Sequence, residues 1–352
     1  MMKKRILLFT AIGLAAAGLI VYPAEAAQAA VEALRRCGTA VIPALLPFFV
    51  LTKLLAAQLR PHRASPLLDR IASACFGVDG SCILPFFISL IGGYPVGVST
   101  TVSMYTHGRL SKTQAERLLR FCNNSGPAFF VGLIGSVVLS DVRMGLFLYG
   151  VHCLCAVLTG ILFAESSVPR YAVYRRDEAP TRGVAAAFQD AVQGSCAALL
   201  QICGLVTLCS VLVALCRAVG LFRLFSYIPF IPQAEIQALF CGTIELTNGI
   251  LSLSGTEHQV ILCAFLMGWG GLCVHLQAAS LWQPVGLHPR HYFTAKLTHG
   301  LLSALLTAAL TQGSFPAAAV MGAVALICLL SALRRARRYR ASASVGRRRK
   351  TA

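Results

Sequence analysis

The sequence predicts an all-α, polytopic membrane protein of about eight to ten transmembrane segments, built as two structural repeats with broken or re-entrant helices. Three observations predict it. The 352 residues are 57% hydrophobic and only 12% charged, with a mean hydropathy of +0.71, outside the range of a water-soluble domain. Uncharged runs long enough to cross a bilayer recur at residues 6–24, 80–108, 121–140, 144–164, 191–216, 258–289 and 297–333. Glycine and proline interrupt several of these runs near their middles, at similar places before and after one long polar linker.

Taken in order, residues 1–36 read as a first span and a connecting helix. Lys3, Lys4 and Arg5 place the N-terminus in the cytoplasm. Ala24-Glu25-Ala26 would also serve as a signal-peptide cleavage site, but a retained span is the simpler account in a chain that is membranous throughout. Residues 37–164 form a first membrane half. Residues 165–186 are a polar linker with four arginines, three acids, Pro169 and Pro180. Residues 187–333 form the second half, and 334–352 a basic cytoplasmic tail. Nine of the 31 Lys and Arg residues lie in that tail, directly after a span. The formal charge of +18 therefore reads as a topogenic anchor on anionic headgroups, with the lipid bilayer and not nucleic acid as partner. Two cytoplasmic termini require an even number of crossings. The 14 cysteines contain no CxxC pair and lie mostly in apolar runs, as packing residues facing a reducing compartment and not as metal ligands.

Four segments carry chemistry. In residues 91–97, Gly93, Tyr94 and Pro95 sit in the middle of an uncharged run; Pro95 lacks an N–H and the glycines tolerate non-helical backbone. The helix breaks there, either as a proline kink relieved by neighbouring helices or as a re-entrant hairpin facing a solute. Next, Ser111 with Gln114, and Thr113 with Glu116, offer overlapping capping boxes for a short interfacial helix. Its apolar side is Ala115, Leu118, Leu119 and Cys122, and its polar side Glu116, Arg117 and Arg120. That helix stops at Asn123, Asn124, Ser125 and Gly126, and Pro127 opens a further span. Asn donors beside a positive helix end suit a solute-lining role better than a cap, which needs one residue.

In the second half, Glu245 stands among apolar neighbours beside Thr247 and Asn248. A buried carboxylate must be protonated, paired, or bound to a cation or solute, unless it snorkels to headgroups. Trp269, His275 and Gln277 follow Gly268, Gly270 and Gly271, glycines that permit an unwound turn. No HExxH, P-loop, GxSxG or CxxC is present, so the expectation is a non-enzyme without a bound cofactor. Ser125 with His152 or His299 as a hydrolytic dyad competes poorly with Ser125 as a helix cap.

These segments carry a resemblance. The stretches Ile42-Pro43-Ala44-Leu45-Leu46-Pro47-Phe48-Phe49, Gly92-Gly93-Tyr94-Pro95-Val96-Gly97, Leu119 to Pro127, Glu245-Leu246-Thr247-Asn248-Gly249 and Gly268 to Gln277 resemble the YlbJ-type (SpoVV-like) sporulation integral membrane proteins. These lie within the wider nucleoside-recognition (Gate) domain group. The resemblance covers residues from about 41 to about 310 and implies a carrier of dipicolinic acid, or a similar small anion, in the mother-cell-derived outer forespore membrane. It also implies a plan similar to concentrative nucleoside transporters, with inverted repeats and re-entrant hairpins. Two other functions stay open: a cation-coupled carrier of nucleosides or neutral solutes, and a non-transporting factor in spore-envelope assembly. H+ or Na+ is the candidate coupling ion, at Glu245. Nearby Arg120 would suit a carboxylate solute, and homo-oligomer formation stays open.

Overall fold

The structure, a computed structural model, describes residues 2–58, 65–165, 184–227 and 231–348. All regular structure among these residues is helical. Helix α1 (Met2–Val21) meets α2 (Pro23–Arg36) at a bend of 99°. From α2 the chain runs through a wide turn, Cys37–Val41, into α3 (Ile42–Gln58), so the boundary expected after residue 36 is not a break. Helix α4 (Pro66–Phe76) starts on the Ser65 cap and ends at left-handed Gly77. It is followed by α5 (Leu84–Gly92), α6 (Val96–Thr106) and α7 (Lys112–Leu119). A helix with widened turns covers Phe129–Val138, and α8 (Val142–Leu162) returns along it. The linker residues 166–183 lie outside the described residues, and α9 (Val184–Ala218) opens the second half. Then come α10 (Gln233–Ile244), α11 (Leu246–Ser252), α12 (Gln259–Trp269), α13 (Gly271–Trp282), α14 (Tyr292–Gln312) and α15 (Phe315–Arg348).

By length and composition, five helices among the described residues can cross a membrane, or up to seven if each of two bent pairs counts as one span. That is fewer than the eight to ten expected. Part of the difference arises because the breaks cut apolar runs into helices of 7 to 12 residues, each too short to span alone. The span expected to open at Pro127 is only a short helix, Phe129–Val138, before the Ser140–Asp141 turn.

Two of the interrupted segments are helical hairpins. Residues seven or eight apart in one straight helix are separated by more than about 10 Å. Yet a Cβ on Gly97 would lie 2.4 Å from Ser89 Cβ, and one on Gly249 would lie 2.2 Å from Gly242 Cα. Helix α6 is therefore folded back on α5, and α11 on α10. In both, glycine is what lets the arms approach. Helices α12 and α13 instead continue nearly in line, as one candidate span interrupted at Gly270 and Gly271 (φ 92° and 78°). The order of parts recurs. Each half has a long helix, a folded-back hairpin, an interrupted segment and a long closing helix: α3, α5–α6, 112–138 and α8, then α9, α10–α11, α12–α13 and α14.

Three arginines close one end of the bundle. Arg117 donates to Gly77 O (2.6 Å) and Glu165 Oε2 (3.0 Å); Arg120 donates to Glu165 Oε1 (2.7 Å) and Phe163 O (3.3 Å). Arg335 of α15 donates to the carbonyls of Ala74, Cys75, Ile161 and Ala164. They satisfy the orphan carbonyls at the ends of α4 and α8. This corrects three expectations. Arg117 and Arg120 are buried and do not form a solvated face of α7. Arg120 is committed to Glu165 and not offered to a solute. Residues 334–348 continue α15, and Arg335 among them is a structural staple and not a headgroup contact. Of the two capping boxes, Ser111 with Gln114 forms; Thr113 already lies inside the helix.

Candidate functional site

Each break leaves backbone groups without their helical partners, and side chains from other elements take them up. Leu90 O, which a continuous helix would use on residue 94, accepts from Tyr149 Oη of α8 (2.9 Å). Met267 O, whose helical partner would be Gly271, accepts from Tyr94 Oη (2.5 Å). Tyr94 thus ties the first hairpin tip to the interrupted span of the second half. Thr243 O, at the end of α10, accepts from Trp269 Nε1 (3.4 Å).

Each hairpin tip also nests in its own half. A Cβ on Gly93 (φ 75°) would lie 3.0 Å from Gly126 N, and one on Gly271 would lie 2.9 Å from Gly242 O and 3.3 Å from Leu246 N. Neither position has space for a side chain. The two tips and the two interruptions therefore converge. Between them is a narrow, partly open cleft, walled by Gly93 and Tyr94, by Ser125 and Gly126, by Glu245 and Thr247, and by Cys273 and Gln277. Val41 and Leu45 at the α3 end and Ile202 and Val206 of α9 complete its apolar side.

Glu245 is the pivot of the second hairpin. Its backbone is extended (φ −131°, ψ 111°), and its carboxylate accepts from Thr247 N (3.0 Å) and Asn248 N (2.7 Å), capping α11. It is 2% exposed, so it does not snorkel to headgroups. The amides of α11 offset its charge, while its remaining lone pairs are available to the cleft.

Of the expected site residues, Gly93, Tyr94, Ser125, Gly126, Glu245, Thr247 and Gln277 reach the cleft. Pro95, Asn123, Asn124, Asn248, Trp269 and His275 stand off its wall, and most of them have other partners. Asn124 Nδ2 braces the hairpin through Ser89 Oγ (2.9 Å) and Phe121 O (2.8 Å). Asn123 Nδ2 donates to Tyr292 Oη (2.7 Å), whose hydroxyl then donates to His275 Nδ1 (3.1 Å). Asn248 donates to Ser210 Oγ (2.9 Å) and accepts a short hydrogen bond from Arg36 of α2. Trp269 packs edge-on against His275, with ring centroids 4.4 Å apart.

Ser125 and His152 do meet, but through the Ser125 backbone N–H, which donates to His152 Nε2 (3.2 Å). That bond requires a neutral imidazole with its proton on Nδ1, and it leaves no base for the hydroxyl. His299 Nε2 in turn donates to His152 O (3.0 Å).

Sequence reasoning missed Lys296. It is 1% exposed, and its Nζ donates to Asn123 O (2.8 Å) and lies 5.5 Å from the Tyr94 ring centroid. Read as the end of an uncharged run, it looked like a boundary. The signal was the spacing of Tyr292, Lys296, His299, Ser303 and Thr307, a polar stripe at helical period on α14, all of it buried.

The chain is similar to the sporulation integral membrane protein YlbJ of Bacillus subtilis strain 168. The two are 25% identical over 319 residues, covering 82% of this chain and 78% of YlbJ. No family model matches the chain, and no solved structure matches it. The similarity to YlbJ supports the YlbJ-type resemblance, and with the apolar helices it makes this a multi-pass membrane protein.

Proposed function

We propose that this chain is a carrier that moves a small solute through the cleft between its two hairpin tips. The supporting observation is the convergence of both tips and both interrupted segments on one partly open space. Non-helical backbone is tolerated at membrane depth only where protein or a wet cavity takes it up, and in carriers such breaks hold the solute. No nucleotide-binding motif supplies energy, so movement is facilitated or ion-coupled, by alternating access.

The solute we favour is dipicolinic acid or a similar small anion, carried across the outer forespore membrane. The name of its relative YlbJ, a sporulation integral membrane protein, agrees with that setting. Lys296, a buried amine behind the first tip that can take up a positive charge, agrees with an anionic solute. A second reading, a cation-coupled carrier of neutral solutes, draws on Glu245, whose carboxylate faces the cleft and would take H+ or Na+.

Uptake by proteoliposomes tests both. Dipicolinate should enter saturably and compete with other aromatic dicarboxylates, while nucleosides should not compete. Nucleoside uptake driven by a Na+ gradient would favour the second reading. No flux of either solute would leave a non-transporting envelope factor as the account.

A further inference from the structure

A buried ammonium without a counter-charge is unfavourable, and a protein keeps one only where something resolves it. Lys296 is such a group. When charged it has three donors; among the described residues one is used, on Asn123 O. The titratable groups around it are Tyr94 at the first tip, Cys122 before the 123–126 interruption, His152 of α8, His275 of α13, and Tyr292 and His299 of α14. None is a carboxylate. His152 is held neutral by the Ser125 N–H, and His299 spends its proton on His152 O, so neither supplies negative charge.

The position of this amine matters as much as its isolation. Its single acceptor, Asn123, is two residues from Ser125 in the cleft wall, and the ring beside it belongs to Tyr94, also in that wall. The amine thus lies one side chain behind the cleft. An anion there would supply the missing charge, and its departure would withdraw it. Glu245, across the cleft, is different: two backbone amides already hold its charged form.

We propose that Lys296 is the proton-carrying group of this chain, gaining a proton as an anionic solute enters the cleft and losing it as the solute leaves. The amine lone pair takes one H+ from water on the loading side, and the resulting N–H bond returns it to water on the releasing side. No other bond changes. The inference rests on the carrier reading above and adds its coupling chemistry: solute anion and proton travel together.

The test is calorimetry of dipicolinate binding to the purified full-length chain in detergent, run in two buffers of different ionisation enthalpy between about pH 6 and about pH 9. The wild type should take up close to one proton per dipicolinate wherever the free amine is neutral, and its affinity should fall about tenfold per pH unit there. Lys296→Arg should bind with no proton uptake and no such slope. The wild-type measurement stands even if a variant fails to fold. Binding without proton uptake at any pH, or uptake retained in Lys296→Arg, would overturn the proposal and leave the carrier reading intact. Failure of dipicolinate to bind at all would sink both.

Discussion

Substituting Gly249 by alanine probes the second hairpin directly. The added Cβ would lie 2.2 Å from Gly242 Cα, 2.4 Å from Gly242 N and 2.9 Å from Ala238 O. Comfortable carbon contacts begin at about 3.5 Å, so the arms must part by roughly 1.3 Å. All three atoms are backbone, and no flexible side chain can give way. Overpacking of this kind costs about 1–3 kcal/mol. The displacement falls four residues from Glu245 and two from Thr247, so the cleft wall moves with it. Gly249→Ala should lower the apparent melting temperature in detergent and reduce solute flux in proteoliposomes by about tenfold or more. Gly204→Ala is the matched control: it lies within α9 with nothing within 4 Å of its added Cβ, and should be neutral or slightly stabilising. If Gly249→Ala melts and transports like wild type, the hairpin is not packed as described and the argument from close approach is wrong.

Other expectations can be checked with the same two assays. Arg335→Ala removes the bonds that hold the carbonyl ends of α4 and α8, and should destabilise by about 1.5–3 kcal/mol without changing affinity for solute. The hydrogen bond from Arg120 holds the Glu165 carboxyl below its ordinary value of 4.5. A depressed pKa means that the stability it contributes is complete above 4.5 and is lost as pH falls through the lowered value. Because Glu165 is half exposed, Glu165→Gln should cost about 1 kcal/mol or less at neutral pH and flatten the acid limb of a melting-versus-pH curve. Asn124→Ala should destabilise by about 1–3 kcal/mol, read by melting, through the loss of its bonds to Ser89 and Phe121, with any flux defect following from that instability.

The breaks were legible in the sequence because glycine and proline act locally. The helices stop at Gly93 to Pro95, at Glu245 within the glycine-bounded stretch 242–255, and at Gly270–Gly271, and Ser111 caps as its spacing implies. That the first two breaks reverse the chain while the third continues it was not legible. Reversal depends on Gly97 meeting Ser89 and Gly249 meeting Gly242, contacts that a hydropathy pattern does not contain. Arg117 and Arg120 read as an exposed face because their partners, Gly77, Phe163 and Glu165, are 40 to 48 residues away in the chain. Asn123 and Asn124 were assigned to the solute on their capacity for hydrogen bonds. The fold spends that capacity on Tyr292, Ser89 and Phe121 instead. Oδ1 of each remains buried without a partner among the described residues.

The central claim is that solute passes between the two hairpin tips. Its most direct measurement is dipicolinate flux through Ser125→Phe and Thr247→Phe proteins, each of which adds an aromatic ring to the cleft wall from an opposite half. The account predicts correctly inserted proteins whose flux falls at least about tenfold, a loss of about 1.4 kcal/mol or more. Wild-type flux in both variants would contradict it.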